Sequence, residues 1–369
     1  MPKVLLKDVV ARIKNKVDKD STNLEYYIGG EHFDYAEVCI TKRGVIQGST
    51  IGPAFHMHFM PGDVLLMSRN PHLRKAGVVD FEGICSDVSY VCRTKDESVL
   101  MQRYLPFVFQ TDHFWEFAER NKKGSTNFFL NWSDFEKYEF DLPGIEEQRK
   151  LTELLWAAQD TKMAYQELLR QSDELVKSQF IELFGDPNER LNGVWPLKPF
   201  GDITVSFDKY RKPVKEGDRK LMQGQYPYYG ATGIVDYVND YKLDGTFLLI
   251  SEDGKALEFR NYDIAFIASG KIWVNNHAHV AQCKNEIDMV FLMRHFKYMD
   301  ISQWVTGTDQ KKLNKDNLDS IPIMIPPIEL QKQYAVIVEQ TDKSKFELKQ
   351  SIANITALMK SLMQQDFSN

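Results

Sequence analysis

The sequence predicts an α+β protein made of two copies of one unit, each a mixed α/β domain followed by a long helix. Three observations predict this. Leu142-Pro143-Gly144-Ile145-Glu146-Glu147-Gln148-Arg149 returns 183 positions later as Ile325-Pro326-Pro327-Ile328-Glu329-Leu330-Gln331-Lys332. The same offset places Gly124-Ser125 on Gly307-Thr308, Leu130-Asn131 on Leu313-Asn314, and Phe135, Tyr138 and Phe140 on Leu318, Ile321 and Ile323. This is an internal repeat, and its period is far too long for a solenoid. Last, each copy ends in a helical pattern of about forty residues with an apolar stripe.

The elements follow in order. Residues 4–17 carry a short amphipathic start, in which Leu6-Lys7-Asp8-Val9 resembles Phe200-Gly201-Asp202-Ile203 at an offset of 194. Set against the offset of 183, that match makes the second domain eleven residues shorter inside. From about 24 to 110 the chain is strand-like. Val38-Cys39-Ile40, Val64-Leu65-Leu66-Met67, Gly77-Val78-Val79 and Val88-Ser89-Tyr90-Val91 are short β-rich runs between Gly and Pro punctuation. Residues 99–120 read as helical, with Leu100, Tyr104, Phe107, Val108, Trp115 and Phe117 on one face.

The first domain is thus expected over 1–142 and the central long helix over 143–185. Glu146-Glu147 suit the helix dipole at its start, and Gly185-Asp186-Pro187 stops it. Leu151, Leu154, Leu155, Ala158, Leu168, Leu175, Val176 and Phe180 mark its stripe. A rod of roughly 60 Å with such a stripe needs a partner. The expected partner is its own copy over 326–369, packed as an antiparallel coiled coil, with Tyr334, Val338, Phe346 and Leu358 among its apolar positions. The second domain, 186–325, opens with a basic loop and continues with strands expected at Phe247–Ile250, Ile264–Ile267 and Met289–Leu292.

Composition sets bounds. At 369 residues and 43% apolar, each half can build a core. No run is apolar enough for a membrane span, and no signal-peptide core follows Met1, so a cytoplasmic protein is expected. Cys39, Cys85, Cys92 and Cys283 lack CxxC spacing and read as reduced thiols. A net charge of −6 argues mildly against nucleic acid, but a binding face needs only local positive charge.

Three stretches carry a resemblance. They are Lys177-Ser178-Gln179-Phe180-Ile181-Glu182-Leu183-Phe184-Gly185-Asp186-Pro187, then Tyr228-Tyr229-Gly230-Ala231-Thr232-Gly233-Ile234 running on to Ser251-Glu252-Asp253-Gly254, and Gly307-Thr308-Asp309-Gln310 through Ile325-Pro326-Pro327-Ile328-Glu329-Leu330-Gln331. In this order, with the duplication, the chain resembles the specificity subunit of type I restriction–modification systems along essentially its whole length. The resemblance implies two target recognition domains, each reading half of a bipartite double-stranded DNA site, and a helix pair that serves as spacer. It implies docking of two adenine-N6 methyltransferase (modification) subunits and, where present, restriction subunits. It implies no catalysis and no cofactor in this chain; S-adenosylmethionine, and ATP with Mg, would belong to the partners. The first domain lacks the Tyr-Tyr-Gly-Ala-Thr-Gly stretch, which reads as two unlike half-sites.

Residue chemistry agrees where it can. DNA binding needs cations for phosphates and polar groups for base edges. The candidates are Arg69, Arg74, Lys75, Lys122 and Lys123 in the first half, and Lys209, Arg211, Lys212, Lys311 and Lys312 in the second. Lys122-Lys123 and Lys311-Lys312 flank equivalent Gly-Ser/Thr turns. Each cluster also reads as a solvated loop. Tyr228-Tyr229 fits base stacking or core packing.

Enzyme readings find little. There is no GxxxxGK[ST] and no Gly-rich loop after a strand for S-adenosylmethionine. Asn70-Pro71-His72-Leu73 shares only its first two residues with the adenine-methyltransferase signature. His56-Met57-His58 and His277-Ala278-His279 each put two imidazoles on one strand face, without a completing cluster. The rival expectations are a metal-dependent nuclease or phosphodiesterase using His277, His279 and Glu252, and a coiled-coil scaffold with no DNA role.

Overall fold

The computed structural model describes residues 2–189, 194–259, 262–308 and 310–367. It divides into two compact units, one holding residues 1–167 with 349–369, the other 168–348. Asp309, part of the third quoted stretch, lies outside the described residues.

In the first unit Lys3–Leu5 pairs antiparallel with Glu139–Asp141, Lys3 opposite Asp141. A one-turn helix, Leu6–Val9, leads into strand Val10–Ile13. That strand edges an antiparallel sheet ordered Val10–Ile13, Ser89–Thr94, Val64–Met67, Ala76–Val78. A second four-stranded sheet is ordered Gly44–Val45, Tyr26–Ile28, Gly83–Ser86, Phe55–Phe59, with Tyr26–Ile28 parallel to Gly83–Ser86. The expected single helix over 99–120 is two, Leu105–Val108 and Asp112–Asn121. Thr111 separates them, because its hydroxyl accepts the N–H of Phe114 and caps a new helix. Val38-Cys39-Ile40 is no strand but a single bridge at Cys39 to Val78.

The second unit repeats this frame. Leu197–Pro199 pairs with Pro322–Met324, Leu197 opposite Met324. One helical turn, Phe200–Ile203, leads into strand Thr204–Ser206. The Leu6–Val9 and Phe200–Ile203 match is therefore structural as well as sequential. The sheet has the same four antiparallel strands in the same order: Thr204–Ser206, Ala278–Cys283, Leu243–Ser251, Ala265–Val274. Here a hairpin, Gln223–Gly230 with Gly233–Val238, extends the same sheet to six strands. Phe135, Tyr138 and Phe140, like Leu318, Ile321 and Ile323, are buried.

One expected strand is wrong. Met289–Leu292 begins a helix, Met289–Tyr298. A short apolar run does not distinguish strand from buried helix. The deciding group is Asp288, whose carboxylate accepts the N–H of Val290 and of Phe291 at 2.9 and 3.0 Å.

The long helices are Ile145–Phe184 and Ile328–Phe367, forty residues each. In the first unit, Leu151, Leu155 and Trp156 share a cluster with Ile355, Met359 and Leu362. In the second, Val176, Phe180 and Phe184 share a core with Tyr334 and Val338. Each unit thus packs an early part of one helix with a late part of the other. Leu154, Leu168, Leu175, Phe346 and Leu358, expected in the stripe, are exposed. Early in the central helix the buried line is instead Gln148, Thr152, Leu155, Gln159 and Lys162. These positions recur every three to four residues, as one helix face requires. Four of the five are polar because the face meets main chain and carboxylate as well as apolar side chains. Lys162 Nζ, for example, binds Glu37 at 2.7 Å.

Candidate nucleic-acid interface

Both units build the same loop junction. In the first, the N–H of Ser68 donates to Val88 O, the N–H of Leu130 to Ser68 O, and Lys123 and Phe129 exchange N–H···O bonds of 2.8 and 3.0 Å. In the second, the N–H of Glu252 donates to His277 O, the N–H of Leu313 to Glu252 O, and Thr306 and Lys312 exchange two bonds of 2.8 Å. Gly124 and Gly307, each at φ +92°, open the two hairpins. A Cβ there would stand 2.7 Å from Asn127 O and 2.1 Å from Gln310 O, so both turns require glycine.

The junction brings several predicted residues together. Arg69 bridges to Phe129, and its guanidinium lies 5.6 Å from that ring. Lys122 Nζ sits 4.2 Å from the Phe128 ring and binds Glu119, while Lys123 binds Asp134 at 2.7 Å. In the second unit Asp253 takes the position of Arg69 and bridges to Lys312. The turns are equivalent, but the lysine pairs are not. Lys123 occupies the limb that holds Thr306, and Lys312 the limb that holds Phe129.

Other predicted cations serve the fold. Arg74 pairs with Asp112, which Lys360 also holds at 3.0 Å. Burial raises the Asp112 carboxyl, but Arg74 and Lys360 outweigh it and keep it below the usual range. Lys75 Nζ donates to Gly30 O at 2.6 Å. Arg211 is largely buried between Glu252 and Asp208. Arg69, Lys209, Lys212 and Lys311 pair with no carboxylate among the described residues. Arg69, Lys209 and Lys212 are exposed and Lys311 is half-buried. Lys209 Nζ lies 5.0 Å from the Tyr210 ring, and the main chain of Lys212 is fixed by Val274 O and by Trp273 Nε1–H.

Glu252 ties this surface down. It meets Arg211, Lys312 at 3.2 Å and His279 at 3.7 Å. Asp208, which the sequence reading missed, completes the cluster by binding His279 Nδ1 at 2.6 Å and accepting the Val280 N–H at 2.7 Å. Burial raises both acids, yet these partners outweigh it and leave each below its ordinary value. The only advance signal for Asp208 was its place in the basic loop.

This geometry removes the nuclease reading. His279 is buried, and both ring nitrogens are used, one by Asp208 and the other by Leu313 O. Its neighbour His277 binds Asp253 instead. Among the described residues no group of His, Cys, Asp and Glu is placed to hold a metal. His58 binds Glu82, and His56 meets Pro53 O. Tyr228 is core: it is buried, and its hydroxyl accepts the Val214 N–H at 2.9 Å. No helix of the described residues is long and apolar enough to cross a membrane.

Residues 194–357 match the family model of the type I restriction modification DNA specificity domain. A putative type I restriction enzyme specificity subunit of Haemophilus influenzae is 39% identical over 142 residues, 38% of this chain and 36% of that protein. The putative MjaX specificity subunit of Methanocaldococcus jannaschii is 23% identical over 161 residues, 36% of this chain and 38% of that protein. The aligned stretch thus spans little more than a third of either curated relative. In fold, the chain is similar to the crystal structure of a type I restriction–modification S subunit from M. genitalium, at TM-score 0.62 and 16% identity over 100% of this chain and 96% of that one. A second likeness, at TM-score 0.55 and 16% identity over 99% and 97%, is to a chain from work on assembly and conformational transition of the type I R-M system.

Proposed function

We propose, from the match of residues 194–357 to the type I restriction modification DNA specificity domain, that this chain is the DNA-reading specificity subunit of a type I restriction–modification complex. It reads a bipartite double-stranded target and does no chemistry alone. Each unit contributes one recognition domain, and the long helices act as the spacer that leaves intervening base pairs unread. Two modification subunits, using S-adenosylmethionine, methylate adenine N6 at the half-sites. Where restriction subunits join, they use ATP and Mg to cleave. The assembly works in the cytoplasm.

One observation carries the reading. The strand–turn–strand entry, the glycine hairpin and the forty-residue helix recur in both halves, while the surfaces around the hairpins differ. A common frame with unlike faces is what reading two different half-sites from equivalent positions requires. Linking two weak readers makes the second binding event intramolecular and the pair selective. Among the ten cations named from sequence, Arg69, Lys209, Lys212 and Lys311 pair with no carboxylate among the described residues and are the best placed to meet phosphate.

The test is genome-wide adenine methylation in cells with and without this chain, beside an active modification subunit. A split motif that disappears on deletion supports the reading. Unchanged methylation with an active modification subunit rejects it.

A further inference from the structure

We infer that the first unit carries a second phosphate-gripping surface, a basic cleft along the outer sheet strand Val10–Ile13. This rests on the DNA-reading function proposed above. Four cations line the cleft: Lys7, Arg12, Lys14 and Lys95. Two acids, Asp8 and Glu136, lie among them, so the lining stays net positive. Trp132 closes one side and meets Tyr90 edge-on at 5.6 Å.

The cations are arranged to stay available. The Arg12 guanidinium lies 4.2 Å from the Tyr90 ring, and its Nε is buried without an acceptor. Stacking on an aromatic face holds a guanidinium in place while its in-plane donors remain open to a phosphate. Lys7 and Lys14 are exposed and pair with no acid among the described residues. Among the described residues Lys95 Nζ donates to Lys7 O, a neutral partner that leaves its charge uncompensated. Four cations gathered along one cleft with two acids repel one another, an arrangement that a bound anion relieves.

The second unit does not repeat this row of cations, although its frame there is the same. Lys284 repeats Lys95 by donating to the main chain at Asp202 O. At the offset of 194, however, Arg12 becomes Ser206 and Lys14 becomes Asp208. Asp208 is spent on His279 and Arg211. The fold therefore does not need basic residues at these two positions. The cleft also adjoins the hairpin junction, because Tyr90 donates its hydroxyl to Leu130 O at 3.1 Å. The ligand that fits a row of unpaired cations beside a DNA-reading loop is the phosphodiester backbone of the duplex, read without regard to sequence.

The test uses the complex assembled with its modification subunits and a duplex carrying its methylation motif. Binding is measured across salt concentrations for the wild type, Lys14→Gln and the double variant Arg12→Gln/Lys14→Gln. Each lost contact should flatten the log Kd against log salt slope by about 0.9, and the double variant should bind roughly tenfold or more weakly at low salt. The same loss should appear on a duplex of unrelated sequence, with the methylated motif unchanged. Should Arg12→Gln lower the thermal midpoint by loosening Tyr90, the exposed Lys14→Gln carries the test alone. An unchanged slope while the wild type binds overturns the cleft and leaves the specificity reading standing. Loss confined to the cognate duplex overturns the phosphate assignment. A wild-type complex that binds no DNA overturns both.

Discussion

Gln148 and Gln331 make the same three hydrogen bonds from the same place in their two units. Gln148 Nε2 donates to Pro143 O and Val99 O, and its Oε1 accepts the Met101 N–H. Gln331 Nε2 donates to Pro326 O and Glu286 O, and its Oε1 accepts the Asp288 N–H. Both side chains are fully buried. Each fastens the first turn of a long helix to its own domain, so helix direction is set by hydrogen-bond geometry as well as by apolar packing.

Replacing Gln148 by Leu keeps the volume close and strands two carbonyls and one N–H in the interior. The expected loss is about 2–3 kcal/mol, read as a lower urea midpoint. Gln331→Leu should do the same to its unit. An unchanged midpoint in both variants would show that the fastening contributes nothing.

Glu252→Ala should be worse than Glu252→Gln. The alanine leaves Arg211 largely buried with Asp208 as its one remaining carboxylate among the described residues, and removal of one member of a buried pair costs about 3–5 kcal/mol when nothing compensates. Glutamine keeps an acceptor. Thermal unfolding ranks the two, and equal midpoints would deny the clamp. If the proposed function holds, the alanine variant should also disturb only one half of the methylated motif.

Two pH effects act in the same direction for opposite reasons. Burial lowers the His295 pKa from its ordinary 6.5 to about 3. Below 6.5 the unfolded chain takes up a proton that the folded chain refuses, so this contribution is complete above 6.5 and declines by up to about 1.4 kcal/mol per pH unit towards 3. Asp208 and Glu252, both held low, contribute above their unfolded values and lose that contribution as pH falls through their folded ones. His295→Leu should therefore flatten stability between pH 6.5 and about 4 while leaving the steeper acid limb. A parallel curve for the variant would refute the assignment.

Inserting one heptad into each long helix, at matched positions, adds roughly 10 Å of rise while keeping the buried faces in phase. If the proposed function holds, the methylated motif should retain both half-sites and gain about three unread base pairs, at about 3.4 Å each. Altered half-sites with an unchanged spacer would contradict the ruler.

Much of this was legible in the chain. The offset of 183 disclosed the duplication, both helices and the paired glycine hairpins, and the weak match at 194 marked the repeated domain entry. Periodicity and punctuation carry such information because they are local or simply repeated. The sequence alone could not decide Met289–Tyr298, where an aspartate cap outweighs β propensity, nor which basic residues are free. Arg74, Lys75 and Arg211 look like Arg69 and Lys209 in one dimension. Only folding brings Asp112, Gly30 O and Glu252 against the first three. It also brings Lys95 beside Arg12 and Lys14, which lie far earlier in the chain, along one cleft. Charge availability is a property of neighbours in space, and here those neighbours are often tens of residues away along the chain.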